Sequence, residues 1–313
     1  MGRMERTVWT CAVVAGLCGH AATTHTLHVA AGATNTVAEL LEGTVPAAGD
    51  WIEKTGAGTL VAVAAYKDTQ LNWRIKEGVY YVPDAVGTKA HKGNSTLVVC
   101  NGATVNLQGG QSDVFDGYWV VSLAGQGTGE GNNLGALAIG GGMTNPSLGG
   151  NSRFELTGDT TLYSYGPMNA LFSGTGNTAG STLDMNGHTL TVRGYFALTT
   201  AALAHPGHIA VESGKLCLEG GLTFNGGAEN RLTVASGACV ILQGAKGNLP
   251  WTLVLRDGAK VERLTYGSDE AGRNVWAGPV ELFSGQATLV SSETKLPPLT
   301  FTGNITGAGG LNV

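Results

Sequence analysis

"LVVCNGATVNLQG" occupies Leu97 to Gly109, and much further along the chain Leu232 to Gly244 reads "LTVASGACVILQG". Eight of the thirteen positions are identical. A looser version starts at Leu253, "LVLRDGAKVERL", and another at Leu27, "LHVAAGATNTV". Each copy alternates apolar residues, turns on a short segment containing glycine, and then resumes the alternation. Alternation with period two marks a strand with one buried face, and glycine supplies the positive φ that the bend requires. The pattern predicts that Leu97, Val99, Val105, Leu107, Leu232, Val234, Val240, Leu242, Leu253, Leu255 and Val261 point into one core. Asn101, Ser236 and Asp257 should stand outside it, because a register slip of one residue would expose the whole apolar set.

Relatives of the unit recur as "RIKEGVYYV" from Arg74, "TLDMNGHTLTVRG" from Thr182 and "HIAVESGKLCLEGG" from His208. Gly214, Gly237 and Gly258 recur at nearly even intervals. A period of roughly 20 to 25 residues with short strands in every unit is the signature of a solenoid, because one unit cannot bury its apolar face alone. The expected fold is therefore all-β, a right-handed single-stranded parallel β-helix of roughly 12 to 14 coils and on the order of 60 Å long. A β-sandwich or jelly-roll is the alternative; it explains the alternation but not the copies. The one helical signal is "TVAELLEG", where Thr36 and Glu39 form a capping-box pattern and Gly43 a stop.

Composition agrees with many turns between short strands. Glycine supplies 50 of 313 residues and charged residues only 13%, about half the usual share. The net charge of −5 is spread out, with no basic cluster to hold nucleic acid or an anionic membrane. The amino-terminal "MGRMER", the apolar "TVWTCAVVAGL" and the small residues of "GHAA" read as an export signal over residues 1–21, cleaved after Ala21. A buried first strand is the alternative reading of that run. The domain expected after cleavage is 22–313, and no later stretch is long enough to cross a bilayer as a helix.

"KTGAGTLVAVAA" (Lys54 to Ala65) resembles the GxGTL signature of the autotransporter-associated β-strand repeat, found in passenger regions of bacterial autotransporters and related surface proteins. "VWAGPVELFSG" (Val275 to Gly285) and "LTFTGNITGAGGLNV" (Leu299 to Val313) are similar to segments that follow in such chains. The resemblance implies a passenger-like β-helix, secreted or displayed on the outer membrane. Members are normally anchored by a membrane β-barrel or another signal. This sequence reaches Val313 without one, so a fragment or a short gene product is expected.

Chemistry is harder to find. A carbohydrate-active β-helix needs clustered carboxylates, about 5 to 9.5 Å apart for glycoside hydrolysis. The best local pair is Asp113 and Asp116 in "QSDVFDGYWVV", beside the sugar-stacking candidates Phe115, Tyr118 and Trp119. Three apart on a strand, the two acids face opposite sides, so only a turn brings them together. A turn-forming Asp-Gly next to a buried strand explains the same residues without chemistry.

His25 with His28, and His205 with His208, have a spacing open to a metal, but no third ligand is evident, so neither a metal nor a cofactor is assigned. His188 follows an Asn-Gly turn and is expected to be exposed. "GQGTGEGNNLGALAIGGG" (Gly125 to Gly142) lacks the Lys and the helix of a phosphate loop, and reads as a flexible loop leaving the rod.

Of the five cysteines, Cys11 and Cys18 leave with the signal. Aligning Gly214 with Gly237 puts Cys217 opposite Val240, so Cys217 should be buried, Cys239 more exposed, and the two unbridged. Cys100 should face outward. The functional expectation is an exported, surface-displayed structural or adhesin-like module, meeting a glycan or a neighbouring cell surface. A polysaccharide lyase or glycoside hydrolase is the alternative.

Overall fold

The structure, a computed structural model, describes residues 21–63, 70–83, 95–108, 118–140, 153–165, 169–171, 182–198, 202–219, 223–243, 247–264, 274–291 and 299–313. Every strand pairing among them is parallel, which excludes the antiparallel sandwich and makes the molecule a parallel β-solenoid. The first flank of the coil carries the ladder His25–Ile52–Trp73–Leu97–Val121–Phe154–Leu183–Leu203–Phe224, each residue opposite the next. A separate three-strand ladder stacks Leu249, Trp276 and Phe301. The second flank of the coil carries Val105–Leu137–Leu162–Val192–Val211–Val234–Leu255–Leu282. The third flank stacks Ala197, Cys217, Ile241 and Glu262. Coil length is uneven: Val192 meets Val211 after a short coil, whereas Val121 meets Phe154 only after a much longer one.

All eleven Leu and Val residues assigned to the core are buried in one continuous cluster, while Asn101, Ser236 and Asp257 are exposed. The two near-identical copies nevertheless sit on different corners. Leu97 lies on the first flank and Val105 on the second, whereas Leu232 lies on the second flank and Val240 on the third. The repeated stretch therefore encodes strand, corner and strand, with the place in the coil set by the neighbours on which it stacks. The core fills with large side chains: Trp73 stacks on Tyr80 at 4.7 Å, and Trp276 Nε1 donates to the Trp251 carbonyl at 2.9 Å.

The corners explain GxGTL. A Cβ on Gly58 would come within 2.2 Å of the Ala30 carbonyl of the preceding coil, so only glycine lets the two backbones approach. At Lys54 the inward rung Leu27–Lys54–Ile75 takes a lysine, fully buried, whose Nζ donates to the carbonyls of Thr55 and Gly56. The helix Val37–Leu41 has the expected capping box between Thr36 and Glu39, and buries Val37 and Leu41 in the core. Glu42, at φ 48, and Gly43, at φ 85, end it.

Three expectations need correction. The described part of the glycine-rich segment, Gly125 to Gly140, does not leave the rod. Thr128 N donates to Thr104 Oγ and Asn106 Nδ2 to Asn133 Oδ1, folding it back on the second flank, and Leu137–Ile139 continues as a core strand. The alternating Leu137 and Ile139 outweigh the surrounding glycines.

Cys217 and Cys239 are both buried, on the same outward side of the third flank. Lys215 stands opposite Cys239 and Cys217 opposite Ile241, so the glycine-on-glycine alignment is off by one. Gly214 does stack on Gly194, whose carbonyl a Cβ would meet at 2.2 Å, but Gly237 has nothing within 4 Å. The sequence offset between partners is larger by one at Lys215–Cys239 than at Val211–Val234, so the corner between them absorbs one extra residue.

His188 is half-buried rather than exposed, because its ring lies beside Asp159 of the preceding coil.

Candidate functional site: a polar groove along one corner

Asp113, Phe115 and Asp116 lie outside the described residues; Tyr118 and Trp119 open the strand Tyr118–Gly125, with their side chains undescribed. The histidines have separate partners. His25 Nε2 lies 3.2 Å from Asp50 Oδ2, and His28 Nδ1 lies 3.3 Å from Thr55 Oγ. His205 Nδ1 is 3.0 Å from each Asp184 oxygen, whereas His208 Nδ1 accepts from Arg231 N at 3.2 Å. His205 and His208 therefore turn to different coils. Among the described residues no three His, Cys, Asp or Glu side chains come together to hold a metal ion.

Among the described residues most carboxylates act as struts between coils. Asp50 accepts from Thr23 N at 2.7 Å and from Ala47 N at 2.8 Å. Glu53 pairs with Lys76 at 2.8 Å and Arg74 at 3.3 Å, and these cations hold it below the usual carboxylate range. The Arg74 guanidinium also covers the Trp51 ring at 4.6 Å. Three charged groups converge there, but the acid is neutralised by its neighbours, which leaves no poised general acid or base.

A concavity follows the corner between the first and second flanks. It is a groove of about 640 Å³ crossing successive coils, with Asn101 in one, Gly125 to Gly127 in the next, then Thr157 to Asp159, and His188. Its floor is glycine backbone. Gly125 is held at φ 93, and a Cβ there would come within 2.4 Å of Asn101 Oδ1. Gln126, Thr157 and Asp159 on the rim are exposed. Asp159 Oδ1 accepts from Thr189 N at 2.9 Å with His188 Nδ1 3.8 Å away. Asn186 Nδ2 donates to the Leu156 carbonyl at 2.9 Å, tying that corner to the preceding coil. The rim offers amides, a hydroxyl, a carboxylate and an imidazole.

Sequence reasoning singled out Asn101 and His188 only as turn neighbours and missed Gln126, Thr157 and Asp159. They converge through the stacking of coils of unequal length, which no local motif records.

The fold and this groove define the chain as a parallel β-solenoid with a polar corner groove. No family model, curated protein or solved structure matches it.

Proposed function

We propose that the chain is an exported, surface-displayed structural or adhesin-like module, of the kind found in autotransporter passengers, with no catalysis of its own. The observation that carries this reading is the use of charge: the described acids serve mainly as struts between coils, as in Asp50, Glu53 and the Arg231–Glu281 pair. A rod held by such struts presents side chains along its length and needs no reaction centre. The amino-terminal "MGRMER" and the apolar run after it support export. Cellular surroundings and glycans are the partners this reading implies.

Expression of the full chain in a bacterial host, followed by amino-terminal sequencing and protease treatment of whole cells, tests it. The expected product starts at residue 22 and is reached by protease from outside. A chain that keeps Met1 and stays in the cytoplasm overturns export. Reproducible cleavage of any substrate in a polysaccharide panel overturns the absence of catalysis.

A further inference from the structure

We propose that the corner groove binds an uncharged polysaccharide lying along the rod axis. The proposal gives the surface module its ligand class and takes only its biological setting from the reading above. Shape is the first argument. The groove crosses the corners that carry Asn101, Gly125, Asp159 and His188, three coil steps or about 15 Å at about 4.8 Å per step. An extended pyranose chain advances by close to one coil step per residue, so successive sugars meet successive corners.

Chemistry is the second. The Asn101 and Gln126 amides both donate and accept, Asp159 accepts, and the His188 ring does either according to its tautomer. That set matches sugar hydroxyls, each of which is donor and acceptor at once. Among the described residues no Lys or Arg lines the groove, so a polyanion finds no counter-charge there and meets the Asp159 carboxylate instead. Ala124 is the only apolar side chain among the described lining residues, and these offer no pocket for the buried anchor a peptide partner needs. The third argument is rigidity. The Thr189 N–Asp159 and Asn186–Leu156 hydrogen bonds fix the rim before a ligand arrives, which lowers the ordering cost of binding.

Calorimetry on the purified chain tests this with neutral β-1,4-linked tetrasaccharides of glucose, xylose and N-acetylglucosamine, against an α-1,4-linked galacturonate tetramer. At least one neutral tetramer should bind in about the micromolar to millimolar range and the galacturonate should not. Gln126→Ala and Asp159→Ala should each weaken binding about tenfold, while Arg193→Ala, away from the groove, should leave it unchanged. If Asp159→Ala disturbs folding by circular dichroism, the exposed Gln126 variant carries the test. Absence of binding by every neutral tetramer, preference for galacturonate, or binding unaffected by either groove variant overturns the proposal. These outcomes are independent of where the chain resides, so loss of export and loss of glycan binding are read separately.

Discussion

Lys215 Nζ pairs with Glu262 Oε2 at 3.2 Å across two coil steps, and Cys239 belongs to the coil between them. Burial, reinforced by the Glu262 carboxylate, pushes the Cys239 thiol up to about 12, so it carries no thiolate at neutral pH. Cys217 is fully buried and Cys100 half-buried. In a chain starting at residue 22, a thiol reagent should label only Cys100 in the native state and three thiols after unfolding without reductant. Cys217 and Cys239 are diagonal neighbours in their parallel ladder, one coil step and two residues apart, on the order of 8 Å and too far for a bridge. A count of one thiol after unfolding would contradict the register.

The same face makes Ile241 a second test. Alternation points it away from the main core, where Leu242 is buried, yet Ile241 is also buried, against Ala197, Cys217 and Cys239. Ile241→Ala and Leu242→Ala should therefore both cost about 2 to 5 kcal/mol in urea denaturation. A cost below about 0.5 kcal/mol for Ile241→Ala would mean that the outer cluster does not form.

Two corner glycines separate backbone conformation from contact. Gly102 has φ 83 and open space where a Cβ would stand, whereas a Cβ on Gly58 would strike the Ala30 carbonyl at 2.2 Å. Gly102→Ala should cost about 1 to 2 kcal/mol, the penalty of a left-handed conformation. Gly58→Ala should cost about 3 kcal/mol or more, because backbone must move. Equal costs in thermal or chemical unfolding would refute the close stacking of coils at the GxGTL corner.

Burial pulls the Lys54 amine down to about 8 from 10.5, partly offset by Glu77. Between these two values the unfolded chain holds a proton that the folded chain releases, so stability rises with pH. The unfavourable burial of the charge is fully present below about 8 and is relieved as the pH rises through that window. Compared with Lys54→Met, the wild-type chain should gain stability in denaturant titrations as the pH is raised across this range. A gap that does not change with pH would place the ammonium in water.

The alternating Leu and Val residues made the core legible, because burial on one side of a strand leaves a period-two trace. Corner glycines such as Gly102 were legible for the same reason: their conformation is a local requirement. Register between coils was not. The extra residue in the corner between Val234 and Cys239 shifts the Cys217 partner from Val240 to Ile241, and nothing in either strand announces it. Lys54 hides in the core for a related reason, since its amine is satisfied by carbonyls at the turn that follows. The groove was least visible, because Asn101, Gln126 and Asp159 are ordinary turn residues until stacking aligns them.

Parallel stacking in this register is the claim on which the rest stands, and spin-label distances test it most directly. Thr24, Thr96 and Thr182 occupy one ladder, with three coil steps between each consecutive pair. In a chain with its native cysteines replaced, labels on Thr24→Cys and Thr182→Cys should be about 29 Å apart, and labels on Thr96→Cys and Thr182→Cys about 14 Å apart, a twofold ratio set by coil steps of about 4.8 Å. Distances that depart from this ratio, or a Thr24–Thr182 separation below about 20 Å, would contradict the solenoid.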